Sequence, residues 1–349
     1  MNSRVMPVGT MTIDQVRAVL ASADFAPSAH NSQPWKLRCT SRGIELYADL
    51  DRALPVIDPN NQELLLACGA AIFTLKLAIR AQGLRCDLRL LPSPKHPDLL
   101  ATLQPIGAHP ITAEERALAD AVEHRHACRQ PFAARPVSIG VRNQLRRAAE
   151  LEQAWLATLQ GPQLAALPPL LRTAHHAQFG SPAFVAEWRH WVTRAAAVGD
   201  GARAVDIGWR SEPHPAGVTA GPGRDAESEP LTMVIGSSED SRLSWLRAGQ
   251  AMQRVLLTAT AAGLTASFLA QLIEVPSTRA DLRVLLGGGV WPQAVLTLGY
   301  PTMVQGTTAL PIDAAITRAP TEQPSSAGQE LSNDQRSSTG TKFRSVGPT

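Results

Sequence analysis

The sequence predicts an α+β fold in which one strand-and-helix plan is used twice. Three observations carry that reading. Short segments alternate apolar and polar residues, the pattern of half-buried strands. Two long stretches, 63–82 and 244–262, are apolar enough to be buried helices, and each stops at a Gly-Leu pair. Those stretches also align without a gap at an offset of 180 residues. Gly69 meets Gly249, Ala71 meets Ala251, Leu77 meets Leu257, Ala81 meets Ala261, and Gly83-Leu84 meets Gly263-Leu264. A duplicated unit and chance matching of Ala- and Leu-rich helices both account for this alignment.

The elements follow in order. Residues 11–23 (MTIDQVRAVLASA) read as a helix with Asp14 in its first turn, where the dipole favours an anion. APSAHNSQPW, 26–35, breaks regular structure with Pro, Ser and Asn and reads as a loop. In 43–50, Ile44, Leu46 and Ala48 alternate with Glu45, Tyr47 and Asp49, so a strand is expected. DPNN, 58–61, is a turn that starts the helix over 63–82, which Gly83 stops. Cys86, Leu88 and Leu90 alternate as a strand. The second half repeats this plan with a strand at 233–237, a helix at 244–262 and a strand at 294–300. An earlier match pairs Val16, Arg17, Leu20 and Ala23 with Val141, Arg142, Leu145 and Ala148, at an offset of 125.

Composition excludes several classes of function. The 349 residues are 44% hydrophobic and 18% charged, so most of the chain can bury a core. A net charge of +3 is too small to argue for nucleic acid or a polybasic membrane surface, and an aromatic fraction of 5% argues against a base-stacking face. Cys39, Cys68, Cys86 and Cys128 show no CxxC spacing, so neither a disulfide framework nor a zinc ribbon is expected. The first 14 residues contain no apolar h-region. A reduced, cytoplasmic protein is the expectation. Val255 to Ile273 carries no formal charge but only mild apolarity, and reads as a buried helix followed by a loop.

Two segments could carry chemistry. The first is Ser28-Ala29-His30-Asn31-Ser32-Gln33-Pro34-Trp35. Its carboxamides donate and accept, which suits the mixed edge of a flavin ring; on composition alone a turn that satisfies its own backbone is the more ordinary reading. The second is Arg125-His126-Ala127-Cys128-Arg129. If helical, its two guanidinium groups share a face and suit phosphate oxygens, or they form a solvated basic face. His124, His126 and Cys128 would share a strand face, but the flanking arginines oppose a metal cation there. His175 and His176 are adjacent and would diverge on a helix. Gly287-Gly288-Gly289 lacks the spaced glycine of a dinucleotide fingerprint and reads as a turn. No Walker lysine, GxSxG elbow or HExxH motif occurs. Residues 198–231 are rich in Gly, Pro and charge and read as a long loop of the kind that forms lids, with Trp209 as an apolar anchor. The tail 319–349 is polar and expected to be disordered.

PSAHNSQPW resembles the flavin-binding loop of the nitroreductase superfamily, and RHACRQPF resembles its Arg-x-Ser-x-Arg/Lys-x-Phe phosphate motif. The segments 46–73, 96–103, 184–192 and 274–283 are similar to the Acg-like branch of single-chain, tandem nitroreductase-fold proteins. This resemblance spans about residues 12–301. It implies a pseudo-dimer of two halves, 11–120 and 121–318, with antiparallel-rich sheets covered by helices and the two long helices buried between the halves. It implies one FMN site: Arg125 and Arg129 on the phosphate, Ser28 and Asn31 on the flavin, Gln33 in support. His30 is either a substrate contact or structural. The implied reaction passes a hydride from NAD(P)H through the flavin to a nitro or quinone acceptor, with no acid–base residue of the protein required. The alternative is an FMN-storing protein whose lid, 198–231, covers the flavin. A monomer acting on small molecules, without nucleic acid or membrane, is expected. Two departures stand against the family pattern. Ala127 replaces the motif's hydroxyl residue, and no arginine follows Tyr300 until Arg318.

Overall fold

Thr12 and Gln15 close a capping box that starts α1 (Ile13–Ser22), and Val16, Val19 and Leu20 on one stripe bury it. The computed structural model describes residues 6–128, 131–197 and 230–302, with backbone alone at 194–197. Arg129, the 198–231 loop except its last two residues, Trp209, Arg318 and the 319–349 tail therefore lie outside the described residues.

Two strands follow α1: β1 (Trp35–Cys39) and β2 (Ile44–Ala48). Then come α2 (Gln62–Ala81), β3 (Leu84–Leu90), β4 (Leu99–Ala108) and α3 (Ala113–Ala121). The chain continues through α4 (Ile139–Leu151), β5 (Trp155–Thr158), α5 (Pro162–Ala165), α6 (Leu167–Phe179) and α7 (Pro182–Ala197). It closes with β6 (Leu231–Ser237), α8 (Arg242–Ala261), β7 (Thr265–Phe268), α9 (Gln271–Glu274), α10 (Pro276–Leu285) and β8 (Trp291–Gly299).

The strands form two four-stranded antiparallel sheets of matching plan, in the orders β1-β2-β4-β3 and β5-β6-β8-β7. This is the expected α+β architecture with two similar sheets. Between them α2 and α8 cross at the two glycines that the sequence aligns. A Cβ on Gly69 would lie 2.2 Å from the Leu246 carbonyl, and one on Gly249 would lie 2.0 Å from that of Leu66. Only a bare backbone permits that approach. Gln253 Nε2 donates to Thr74 Oγ1 at 3.0 Å across the same crossing. One apolar core runs through both halves, joining Leu46 and Ile72 to Leu145, Val255 and Leu296.

Gly83 and Gly263 end the two long helices with φ of +77° each, the left-handed stop that glycine favours. In the uncharged stretch 255–273 the helix ends before Gly263 as expected, but the chain beyond it is not a loop. The stretch holds the last turns of α8, then β7 and α9. Among the described residues the helix long and apolar enough to cross a membrane is α2, and 78% of its apolar window is buried inside the fold. Gly287 and Gly288 sit at φ of +84° and +78°, in a turn before β8 as expected.

Candidate functional site

The first candidate segment is a tight, self-bonded loop between α1 and β1. Ser28 Oγ accepts the Gln33 N–H at 3.0 Å, and the Ser28 carbonyl accepts the Asn31 N–H at 3.1 Å. His30, Asn31 and Gln33 take left-handed backbone, with φ of 52°, 53° and 45°. Left-handed geometry costs a non-glycine residue about 1 kcal/mol, so the surroundings must hold the loop in place. They do so from several sides. Gln33 is fully buried and its Nε2 donates to the Asp24 carbonyl at 3.1 Å. Arg52 Nη1 donates to the Gln33 carbonyl at 3.2 Å and pairs through Nε with Asp49 at 3.4 Å. Cys68 Sγ on α2 donates to the Pro34 carbonyl at 3.3 Å. Burial pushes that thiol well above its usual range, with the nearby Asp49 charge adding to the shift, so Cys68 serves as a core donor and not as a nucleophile.

The far side of the loop is covered by α7. Ala29 packs on a cluster of Leu54, Ile57, Phe184, Trp188, Trp191 and Val192. Glu187 anchors that helix by accepting the Ile57 N–H at 2.8 Å and the Val56 N–H at 3.1 Å. A shallow recess beside the loop is lined in part by Ala29, Ser32, Arg52, Asp58 and Glu63.

The second candidate segment reaches the residue that leads into the first. After α3 a turn over 122–124 leads into extended chain. Ala127 bridges Ala266 on edge strand β7, and the Cys128 N–H donates to the Ala266 carbonyl at 2.6 Å. The shared-face argument for a helix thus does not apply at 125–128. His124 and His126 turn their Nδ1 atoms to backbone carbonyls at 2.8 and 2.9 Å. No metal-ligand cluster occurs among the described residues.

Arg125 is half-buried, and its Nε donates to the Phe25 carbonyl at 3.3 Å, a contact spanning 100 residues of sequence. Among the described residues it pairs with no carboxylate, and its terminal nitrogens have no hydrogen-bond partner. Burial lowers its pKa to about 10. An arginine placed in this way is a fork without an anion. This fits the phosphate of a flavin mononucleotide.

Asp24, Arg52 and Glu187 escaped the sequence reading. Asp24 carried a signal: it continues the Val16, Leu20 stripe at a spacing of four, which places a carboxyl on the buried side. Arg52 and Glu187 act on backbone groups distant in sequence, and no local pattern announces such contacts.

No family model matches the chain. It is 32% identical over 298 residues to a Mycobacterium tuberculosis (strain ATCC 25618 / H37Rv) protein named Putative NAD(P)H nitroreductase Rv3131, covering 82% of this chain and 85% of that one. The chain belongs to the nitroreductase superfamily, in its Acg-like branch. A second relative of this Acg-like chain, from the same organism and with the same name but the suffix acg, is 29% identical over 335 residues, covering 88% of this chain and 95% of that one. Among solved structures, a nitroreductase with bound FMN from Bacteroides fragilis NCTC 9343 overlaps 61% of the Acg-like chain and 98% of its own, with a TM-score of 0.34 and 12% identity.

Proposed function

We propose that this Acg-like chain is an NAD(P)H-dependent flavin oxidoreductase with one FMN site, shared between its halves 11–120 and 121–318. Ser28, Asn31 and Gln33 belong to the first half, and Arg125 and Arg129 to the second. The observation that carries the reading is Arg125: a half-buried guanidinium, unpaired with any described carboxylate and bonded to the segment that leads into the 28–33 loop. The names of the curated relatives support a nicotinamide donor.

When bound, the flavin supplies hydride acceptance and electron delivery to a nitro or quinone compound. The chain's own residues bind and orient. Arg125, with Arg129, neutralises the phosphate. Ser28 and Asn31 contact the flavin, and the buried Gln33 supports the loop that carries them. His30 either contacts substrate or serves the loop's structure. No acid–base residue is needed for the chemistry itself.

A single site per chain is supported by an asymmetry. The first half spends residues 23–34 between its first helix and strand, whereas the second half spends only 152–154. In the second half this position holds Glu152, paired to Lys76 at 2.9 Å and to Arg254 at 3.0 Å. A duplicated chain working as a monomer in the cytoplasm completes the proposal.

The test is FMN titration of the wild type against Arg125→Ala and Arg129→Ala. Weaker binding in both variants supports the assignment, and unchanged affinity refutes it. One observation favours a second reading, that the protein stores FMN behind a cover. The aromatic face of α7 packs on the loop through Ala29, held by Glu187. A bound flavin that reduced nicotinamide fails to bleach would select that reading.

A further inference from the structure

Two buried acceptors beneath the 28–33 loop lack a donor. Asp24 is 6% exposed and Gln33 is 0% exposed, yet Asp24 Oδ1 and Gln33 Oε1 have no hydrogen-bond partner. Their residues are already joined, because Gln33 Nε2 donates to the Asp24 carbonyl at 3.1 Å. A buried acceptor without a donor is costly, and native folds rarely leave two together. The Trp35 indole N–H is also buried and without a partner, and it could serve one acceptor but not both. An ionised carboxylate offers acceptors only, whereas a protonated one offers a donor.

We propose that Asp24 is a positioning residue held in its neutral form, whose carboxyl proton is donated toward the Gln33 carboxamide and locks the 28–33 loop in its cofactor-receiving conformation. Ionisation removes the carboxyl donor, leaves two buried acceptors unserved and loosens Gln33. The loop's three left-handed residues then lose their deepest anchor.

The charges around the group have opposite effects from burial. Burial raises the Asp24 carboxyl to about 7, while the Arg52 guanidinium pulls it down. Arg125 approaches the same segment from the second half, its Nε donating to the carbonyl of the neighbouring Phe25. A raised carboxyl means that the folded state keeps a proton that the unfolded chain releases. Its stabilising contribution is complete below the ordinary aspartate range and is lost as pH rises through about 7.

The experiment compares wild type with Asp24→Asn and Asp24→Ser, both neutral donors. Thermal unfolding of the flavin-free proteins is followed from about pH 5 to about pH 8. Wild type is expected to lose stability relative to both variants as pH rises, and parallel curves would overturn the proposal. FMN affinity is then measured over the same range. This second readout rests on the flavin reading. The phosphate of FMN titrates equally in every comparison, so the ratio of affinities isolates Asp24. That ratio is expected to fall about tenfold per pH unit above 7. A constant ratio would overturn the positioning role. FMN that binds none of the proteins at any pH would overturn the flavin reading, while the unfolding curves still decide where the proton sits.

Discussion

Arg125 Nε donates to the Phe25 carbonyl at 3.3 Å, and this bond ties the second half of the chain to the entrance of the first-half loop. The remaining donors of the guanidinium are left for an anion. Replacing Arg125 with Ala should therefore weaken FMN binding by about 2 kcal/mol, roughly 30-fold, since a charge-assisted phosphate contact is lost. Arg125→Lys should recover part of the loss by supplying charge without the fork. Flavin fluorescence titration reads both effects. Circular dichroism checks that the fold survives.

The crossing of α2 and α8 should not tolerate a methyl group. A Cβ at Gly69 or Gly249 would sit 2.2 or 2.0 Å from a backbone carbonyl oxygen, and neither helix can move aside without disturbing the shared core. Gly69→Ala or Gly249→Ala should cost about 3 kcal/mol through overpacking. Gly83→Asn, at a helix stop open to space, should cost far less. Chemical denaturation of the three variants ranks them.

This crossing also shows how much of the fold was legible. The gapless alignment of 63–82 with 244–262 paired Gly69 with Gly249 before any contact was known, and those two glycines meet. Strand alternation located β2 and β3 for the same reason: burial on one face imposes a period of two. The 26–35 loop stood out because Pro, Ser and Asn exclude regular structure. What stayed hidden depends on partners remote in sequence. Nothing near Arg52 indicates that it braces the Gln33 carbonyl, and nothing near Glu187 indicates that it holds Ile57 N–H. Gly263 ends the helix as expected, but nothing local shows that the residues after it form β7, because that strand exists by pairing with β8, remote in sequence.

The ion cluster at the end of α4 should matter for stability. Glu152 is 8% exposed and faces both Lys76 and Arg254. Glu152→Ala leaves two partly buried cations without their shared carboxylate, which should cost about 3 kcal/mol. Pairing that change with Lys76→Met should recover part of the loss. A double-mutant cycle in denaturant measures the coupling.

A second pH response should come from the seam between α2 and α9. Gln178 donates to Glu274, and Glu63 faces Glu274 from the first half. Burial raises Glu274 to about 7, and it raises Glu63 well above the ordinary range, with Glu274 and Asp58 adding like charge. Both shifts are upward, so the folded state binds more protons than the unfolded chain. The stability they provide is complete below the ordinary glutamate range and fades as pH rises through about 7. Glu274→Gln should flatten that decline. Melting temperature against pH for the two proteins is the measurement.

The central claim is one flavin site per chain, open to reduced nicotinamide. The most direct test is the visible spectrum of protein incubated with FMN, passed through gel filtration and treated anaerobically with NADPH and then NADH. The account predicts a retained flavin band at one FMN per 37.3 kDa chain, bleached by at least one nicotinamide. A protein that emerges colourless would contradict it.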